Sequence, residues 1–117
     1  MFLGLRSAIY PVIDLDRSRR WYRELLGVAP SFDTDQYVGF EVGGYELGLF
    51  PGGDAGRCDV YWGVEDIDAA YAALLAAGAT EHQAIHDVGE GIRMASVIEP
   101  GGAPLGIIEN PHFRGGR

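Results

Sequence analysis

A chain of 117 residues, 47% hydrophobic and 22% charged, is sized for one domain with its own core, which excludes a disordered or collagen-like polypeptide. Nine cations against seventeen acids give a formal net charge of −8, and a body this acidic repels phosphate backbones, which weighs against nucleic acid as a partner. No apolar run approaches the roughly 18 residues of a membrane span, the opening MFLGLRSAIYP carries no readable secretory signal, and the lone Cys58 excludes an internal disulfide and any cysteine-based zinc or redox pair. A cytoplasmic protein with no membrane partner is the expectation.

The cations are all arginine and are unevenly placed. Residues 1–30 carry a net +2, residues 31–109 a net −12, and the last eight residues +2 again. The acidic middle favours a neutral or cationic ligand over an anionic one.

In chain order, a β-rich run through Ala8, Ile9 and Tyr10 leads to Val12-Ile13-Asp14-Leu15-Asp16. A helix follows from Arg17 to Leu26, with Trp21, Tyr22, Leu25 and Leu26 on one side; Trp21 and Tyr22 are expected in the core. Its aspartates suit a helix start and Gly27 suits its end. Strands are predicted near 30–34, 37–42 and 45–50, with Gly43-Gly44 as a tight hairpin. Then the pattern repeats. Val64-Glu65-Asp66-Ile67-Asp68 lies 52 residues after its counterpart, and Ile67, Tyr71, Leu74 and Leu75 recur at the helical period before Gly78. Strands near 81–87, 93–99 and 103–109 are separated by Gly89-Glu90-Gly91 and Pro100-Gly101-Gly102. The reading is an α+β chain, one domain over 1–117, built from two βαβββ modules in tandem. Module one runs over about 5–50 and module two over about 57–110, with a glycine-rich linker at 51–56.

The stretch Val12-Ile13-Asp14-Leu15-Asp16-Arg17-Ser18-Arg19-Arg20-Trp21-Tyr22-Arg23-Glu24-Leu25-Leu26-Gly27 resembles the opening of a vicinal oxygen chelate protein. That superfamily includes glyoxalase I, extradiol dioxygenases, fosfomycin-inactivating transferases and bleomycin-resistance proteins. Val64 to Tyr71 through Ala77-Gly78-Ala79 resembles the second module, and Glu99-Pro100-Gly101-Gly102-Ala103-Pro104-Leu105-Gly106-Ile107-Ile108-Glu109 resembles its terminal hairpin and last strand. The resemblance implies mixed, curled sheets forming a cleft, and a homodimer, since two chains of the family usually combine modules.

Metal-using members place one ligand on each of four strands. Carried over by position, these are Ser7, Glu46, Asp59 and Gly106. Serine is a poor ligand and glycine has no side chain, so the usual site looks lost and no cofactor is expected. A hard divalent ion shared by Glu46 and Asp59 is the remaining metal alternative. His82 and His86, four apart, are expected on a loop and strand away from these positions, as ordinary surface histidines.

On the same carry-over, Asp59, Tyr61 and Gly63 share the cleft face of their strand, and Glu46, Gly48 and Phe50 share that of theirs. Of Tyr37 and Phe40, on opposite faces, at most one lines the cleft; Phe40 is taken as that one. The predicted ligand-binding set is therefore Ser7, Phe40, Glu46, Gly48, Phe50, Asp59, Tyr61 and Gly106. Gly48, Gly63 and Gly106 either leave room for a bulky ligand or serve strand curvature. An aromatic-lined groove with a few carboxylates suits a small aromatic or cationic organic molecule, held without metal as in drug sequestration and antibiotic resistance. The alternative is a lyase, isomerase or dioxygenase that uses an atypical metal at Glu46 and Asp59, or those two carboxylates as an acid/base pair.

Overall fold

In the computed structural model, which is described here for residues 1–52 and 57–113, Asp14 and Asp66 begin the two helices in the same way. Each sits in extended backbone (φ −125°, ψ 98° and φ −128°, ψ 99°) and its carboxylate accepts the N–H three residues on, from Arg17 and Ala69 respectively, at 3.1 Å. Those bonds satisfy donors that the first helical turn leaves unpaired. The elements in order are β1 (Phe2–Pro11), α1 (Leu15–Leu26), β2 (Phe32–Asp33), β3 (Val38–Val42), β4 (Tyr45–Phe50), β5 (Asp59–Val64), α2 (Ile67–Ala76), β6 (Thr80–Gly89), β7 (Ile92–Ile98) and β8 (Pro104–Glu109). This is the mixed α+β, twice-repeated βαβββ order read from the sequence. The linker at 51–56 lies partly, and the last four residues wholly, outside the described residues.

The described residues divide into two compact units, one of Ser7–Asp59 and one of Met1–Arg6 joined with residues 60–113. In the first, the strands are ordered β2-β3-β4-β1. β1 runs parallel to β4 with Ser7 opposite Glu46 and Ile9 opposite Gly48. β3 and β4 form an antiparallel hairpin closed at Val42 and Tyr45. Gly43 and Gly44, at φ 60° and 88°, make its two-residue turn, a left-handed pair that side chains resist. Leu15, Val38, Phe40 and Leu49 form the core, with Val12, Tyr22, Leu26 and Leu47 packed around them.

Two expectations change here. β2 is only two residues long, because Thr34 ends it: its hydroxyl accepts the N–H groups of Gln36 and Tyr37 and donates to the Tyr37 carbonyl. Trp21 and Leu25 do not join the core; they are 57% and 64% exposed. One residue is about 100° of helix, so with Tyr22 and Leu26 turned inward their predecessors point outward. Trp21 instead stands edge-on to Tyr22, ring centres 4.9 Å apart. Arg19 ties α1 to the end of β2, through Asp33 at 2.8 Å and the following Thr34 carbonyl at 3.1 Å, while also pairing with Asp16.

In the second unit the order is β5-β8-β7-β6, with β5 and β8 parallel (Tyr61 opposite Gly106) and the rest antiparallel. Val64, Ile67, Ala70, Leu74, Ala95, Val97 and Ile107 form its core, and Trp62 packs against it. Val64 and Trp62 thus face α2, leaving Tyr61 and Gly63 on the opposite face, as alternation along β5 predicts. Glu109 fixes the start of α2 by accepting the Ile67 N–H at 3.0 Å, and Arg93 bridges Glu109 (3.1 Å) to Asp68 (3.0 Å). No helix among the described residues is long and apolar enough to cross a membrane, which bears on helical spans only.

Candidate functional site

In the first unit, hairpin register decides which side chains meet. Gly39 lies opposite Gly48 and Glu41 opposite Glu46, so these residues share the face away from α1. Phe40 lies opposite Leu47 and is wholly buried in the core under α1, not on the Glu46 face where the sequence reading put it. Tyr37 takes that place. Its hydroxyl donates to Glu46 Oε1 at 2.7 Å. Its ring lies over Gly48, where a methyl group would meet Tyr37 Oη at 2.0 Å, and a methyl at Gly39 would meet Glu46 Oε2 at 2.9 Å. The two glycines are the floor on which this Tyr37–Glu46 pair is built. Edge-on to Tyr37 stands Phe32, at 5.9 Å between ring centres. Ser7, across from Glu46, is buried.

Phe50, at the far end of β4, is 43% exposed and covers Gly52. Asp59 is exposed at the start of β5. The neighbouring Cys58 thiol is pushed up from its ordinary value, first by burial and then by the Asp59 charge.

In the second unit the predicted residues Tyr61 and Gly106 do meet. The Tyr61 ring lies on Gly106, 2.6 Å from where a methyl would be. Ser96, opposite Gly106 and buried, shares that face, since its neighbours Ala95 and Val97 point into the core. His82 Nδ1 lies 2.8 Å from Ser96 Oγ. Both histidines are on β6, where a loop and a strand are expected, and His82 reaches the row of Gly106 instead of lying away from it. His86 turns back to the Ala84 carbonyl at 2.9 Å.

The room expected above Gly48, Gly63 and Gly106 is occupied by the protein's own side chains: Tyr37, Arg6 and Tyr61. A close-packed interior does not leave such space open. The donor set at the four family metal positions remains two carboxylates, a hydroxyl and a glycine, with Glu46 already engaged by Tyr37. That set does not fit the usual four-ligand centre. Among the described residues no group of three or more His, Cys, Asp or Glu is placed to hold a metal ion.

Residues 4–107 match the model of the Glyoxalase/Bleomycin resistance protein/Dioxygenase superfamily, and the chain belongs to that family. No curated protein matches it. Among solved structures it is similar to a variant of Streptomyces coelicolor methylmalonyl-CoA epimerase in complex with 2-nitronate-propionyl-CoA (15% identity, TM-score 0.78, covering 95% of this chain and 99% of that one). It is also similar to a glyoxalase/bleomycin resistance protein/dioxygenase superfamily member from Vibrio splendidus 12B01 (19% identity, TM-score 0.65, 90% and 97%). A third is an extradiol ring-cleaving dioxygenase from B. fuscum (24% identity, TM-score 0.74), of which this chain covers 33% while 93% of its own length is matched. At these identities the likeness is one of fold, and the chemistry of these neighbours differs from one to the next.

Proposed function

We propose that this chain binds a small aromatic or cationic organic molecule without a metal ion, as a homodimer, on the sheet face that carries Tyr37 and Glu46. The observation that carries the reading is the Tyr37 ring laid over Gly48 with its hydroxyl on Glu46. A flat aromatic surface ending in a carboxylate attracts a planar cation twice, by stacking and by charge. The formal charge of −8 draws the same kind of ligand from solution. In this reading Tyr37 enters the binding set of the first unit in place of Phe40, beside Ser7, Glu46, Gly48, Phe50 and Asp59.

The test is calorimetry of the purified chain with a panel of planar cations, acriflavine among them. Binding in the micromolar range that Glu46→Gln weakens about ten-fold supports the reading, ten-fold being roughly the 1.4 kcal/mol of a charge-assisted contact. No binding by a folded protein defeats it.

The enzymatic alternative draws on the same bond, for a carboxylate holding a phenol hydroxyl at 2.7 Å is a ready acid/base pair. Elemental analysis of protein purified without chelator, beside Glu46→Ala with Asp59→Ala, separates the two. One stoichiometric divalent ion lost in the double variant would favour metal-assisted lyase, isomerase or dioxygenase chemistry.

A further inference from the structure

We infer that Arg6 is a second recognition element, one that takes the carboxylate of a small planar organic acid. Three arginines among the described residues are half-buried: Arg6, Arg19 and Arg93. Arg19 and Arg93 each hold two carboxylates. Arg6 pairs with no described carboxylate, in a chain with seventeen acids to choose from. Its one hydrogen bond among the described residues is a long donation from Nη1 to the Leu5 carbonyl, at 3.3 Å.

The guanidinium packs against two neighbours within its own unit of the chain. One is the β5 backbone at Gly63, where a methyl group would meet Arg6 Nε at 2.6 Å and Cζ at 3.0 Å. The other is the Phe113 ring, its centre 3.7 Å from Arg6 Cζ, well within cation–π range. Phe113 is itself brought there by a turn pinned at His112, whose Nε2 lies 2.8 Å from the Glu90 carbonyl and whose N–H donates to Asn110 Oδ1 at 2.8 Å.

A guanidinium held against Gly63 and Phe113 can still donate its N–H groups. Of its five N–H donors one is used among the described residues, and a guanidinium fork matches a carboxylate in two parallel bonds. These contacts restrict the side chain before a ligand arrives, so less rotamer freedom is lost on binding. Lysine could neither stack flat nor present a fork. The negative field of the whole molecule opposes any anion, which keeps the affinity modest and dependent on salt. This element is independent of the Tyr37–Glu46 reading and stands or falls separately.

The test is an NMR titration of the nitrogen-labelled full chain with benzoate, following the Arg6 Nε–Hε signal, with neutral benzamide as the control. The expected result is a saturable shift with benzoate and none with benzamide. Phe113→Ala should weaken benzoate binding about five-fold, in line with the loss of a cation–π contact. Arg6→Met, which keeps a flexible stem against Phe113 but no donor, should abolish it. Equal shifts with benzamide, no shift at all, or a shift that follows protein concentration instead of benzoate would each overturn the proposal. Should Arg6→Met fail to fold, the titrations of the unmodified chain and of Phe113→Ala decide the matter.

Discussion

A single hydroxyl separates Tyr37 from the nearest residue of its shape. Tyr37→Phe keeps the ring over Gly48 but leaves Glu46 Oε1 without its 2.7 Å donor. The expected cost is about 1 kcal/mol in stability, read by urea unfolding, with the ring's share of ligand stacking retained. Glu99 gives a prediction with a sign. Its carboxylate accepts the Ala103 N–H at 2.8 Å, and that bond, then one from Gly101, holds its pKa below the ordinary 4.5. The ionised form is the one the fold favours. Its contribution is therefore present above about 4.5 and is lost as pH falls through the lower folded value. Hydrogen exchange at the Ala103 amide should accelerate across that window beyond its intrinsic pH dependence, and Glu99→Gln should remove the extra pH dependence. Cys58 behaves in the opposite sense: burial and Asp59 raise its thiol, so alkylation at neutral pH should be slower than for free cysteine.

At the level of elements, the two helix starts are near duplicates, and each should pay alike for losing its cap. Asp14→Ala and Asp66→Ala are each expected to destabilise by about 1 kcal/mol, measured by thermal or urea unfolding. Asp66 is backed by a second group, since Glu109 also accepts an N–H of that helix start, from Ile67 at 3.0 Å. A milder effect at Asp66 than at Asp14 would point to that backup. The β3–β4 hairpin was legible in outline and misread in consequence. Gly43-Gly44 fixes Val42 opposite Tyr45, and counting back from there places Phe40 opposite Leu47 and Gly39 opposite Gly48. Leu47 lies on the α1 side, so Phe40 had to be core and the Glu46 face had to belong to Tyr37. The signal was in the two-residue turn, because turn length sets register. His82 was harder. β6 carries register shifts between Glu81 and Gln83 and again between Gln83 and His86, and no sequence count of alternate residues survives a bulge.

Across the whole molecule, apolar burial is concentrated in two separate clusters, one in each unit, around Phe40 and around Ile107. Both side chains are fully buried. Phe40→Ala is expected to cost about 3–5 kcal/mol and Ile107→Ala about 2–5 kcal/mol in chemical unfolding. Either is a large part of the stability such a domain holds. Homodimerisation belongs to this scale as well: sedimentation at micromolar concentration should give twice the chain mass, and a monomer would remove that part of the functional proposal.

The order of elements, the repeated βαβββ pattern, both N-capping aspartates and the hairpin turn were determined by the sequence alone. Each is set by residues near one another in the chain, through periodicity, capping and turn chemistry. Tertiary structure alone decided what stands over the glycines. Gly48, Gly63 and Gly106 are bare positions in the sequence, and Tyr37, Arg6 and Tyr61 come to lie on them from other strands or from the loop before β3. It likewise brought Phe113 onto Arg6 and His82 onto Ser96, across 107 and 14 residues of chain. Those contacts are settled by close packing among distant segments, where filling a bare strand position and clamping a charge outweigh any local preference.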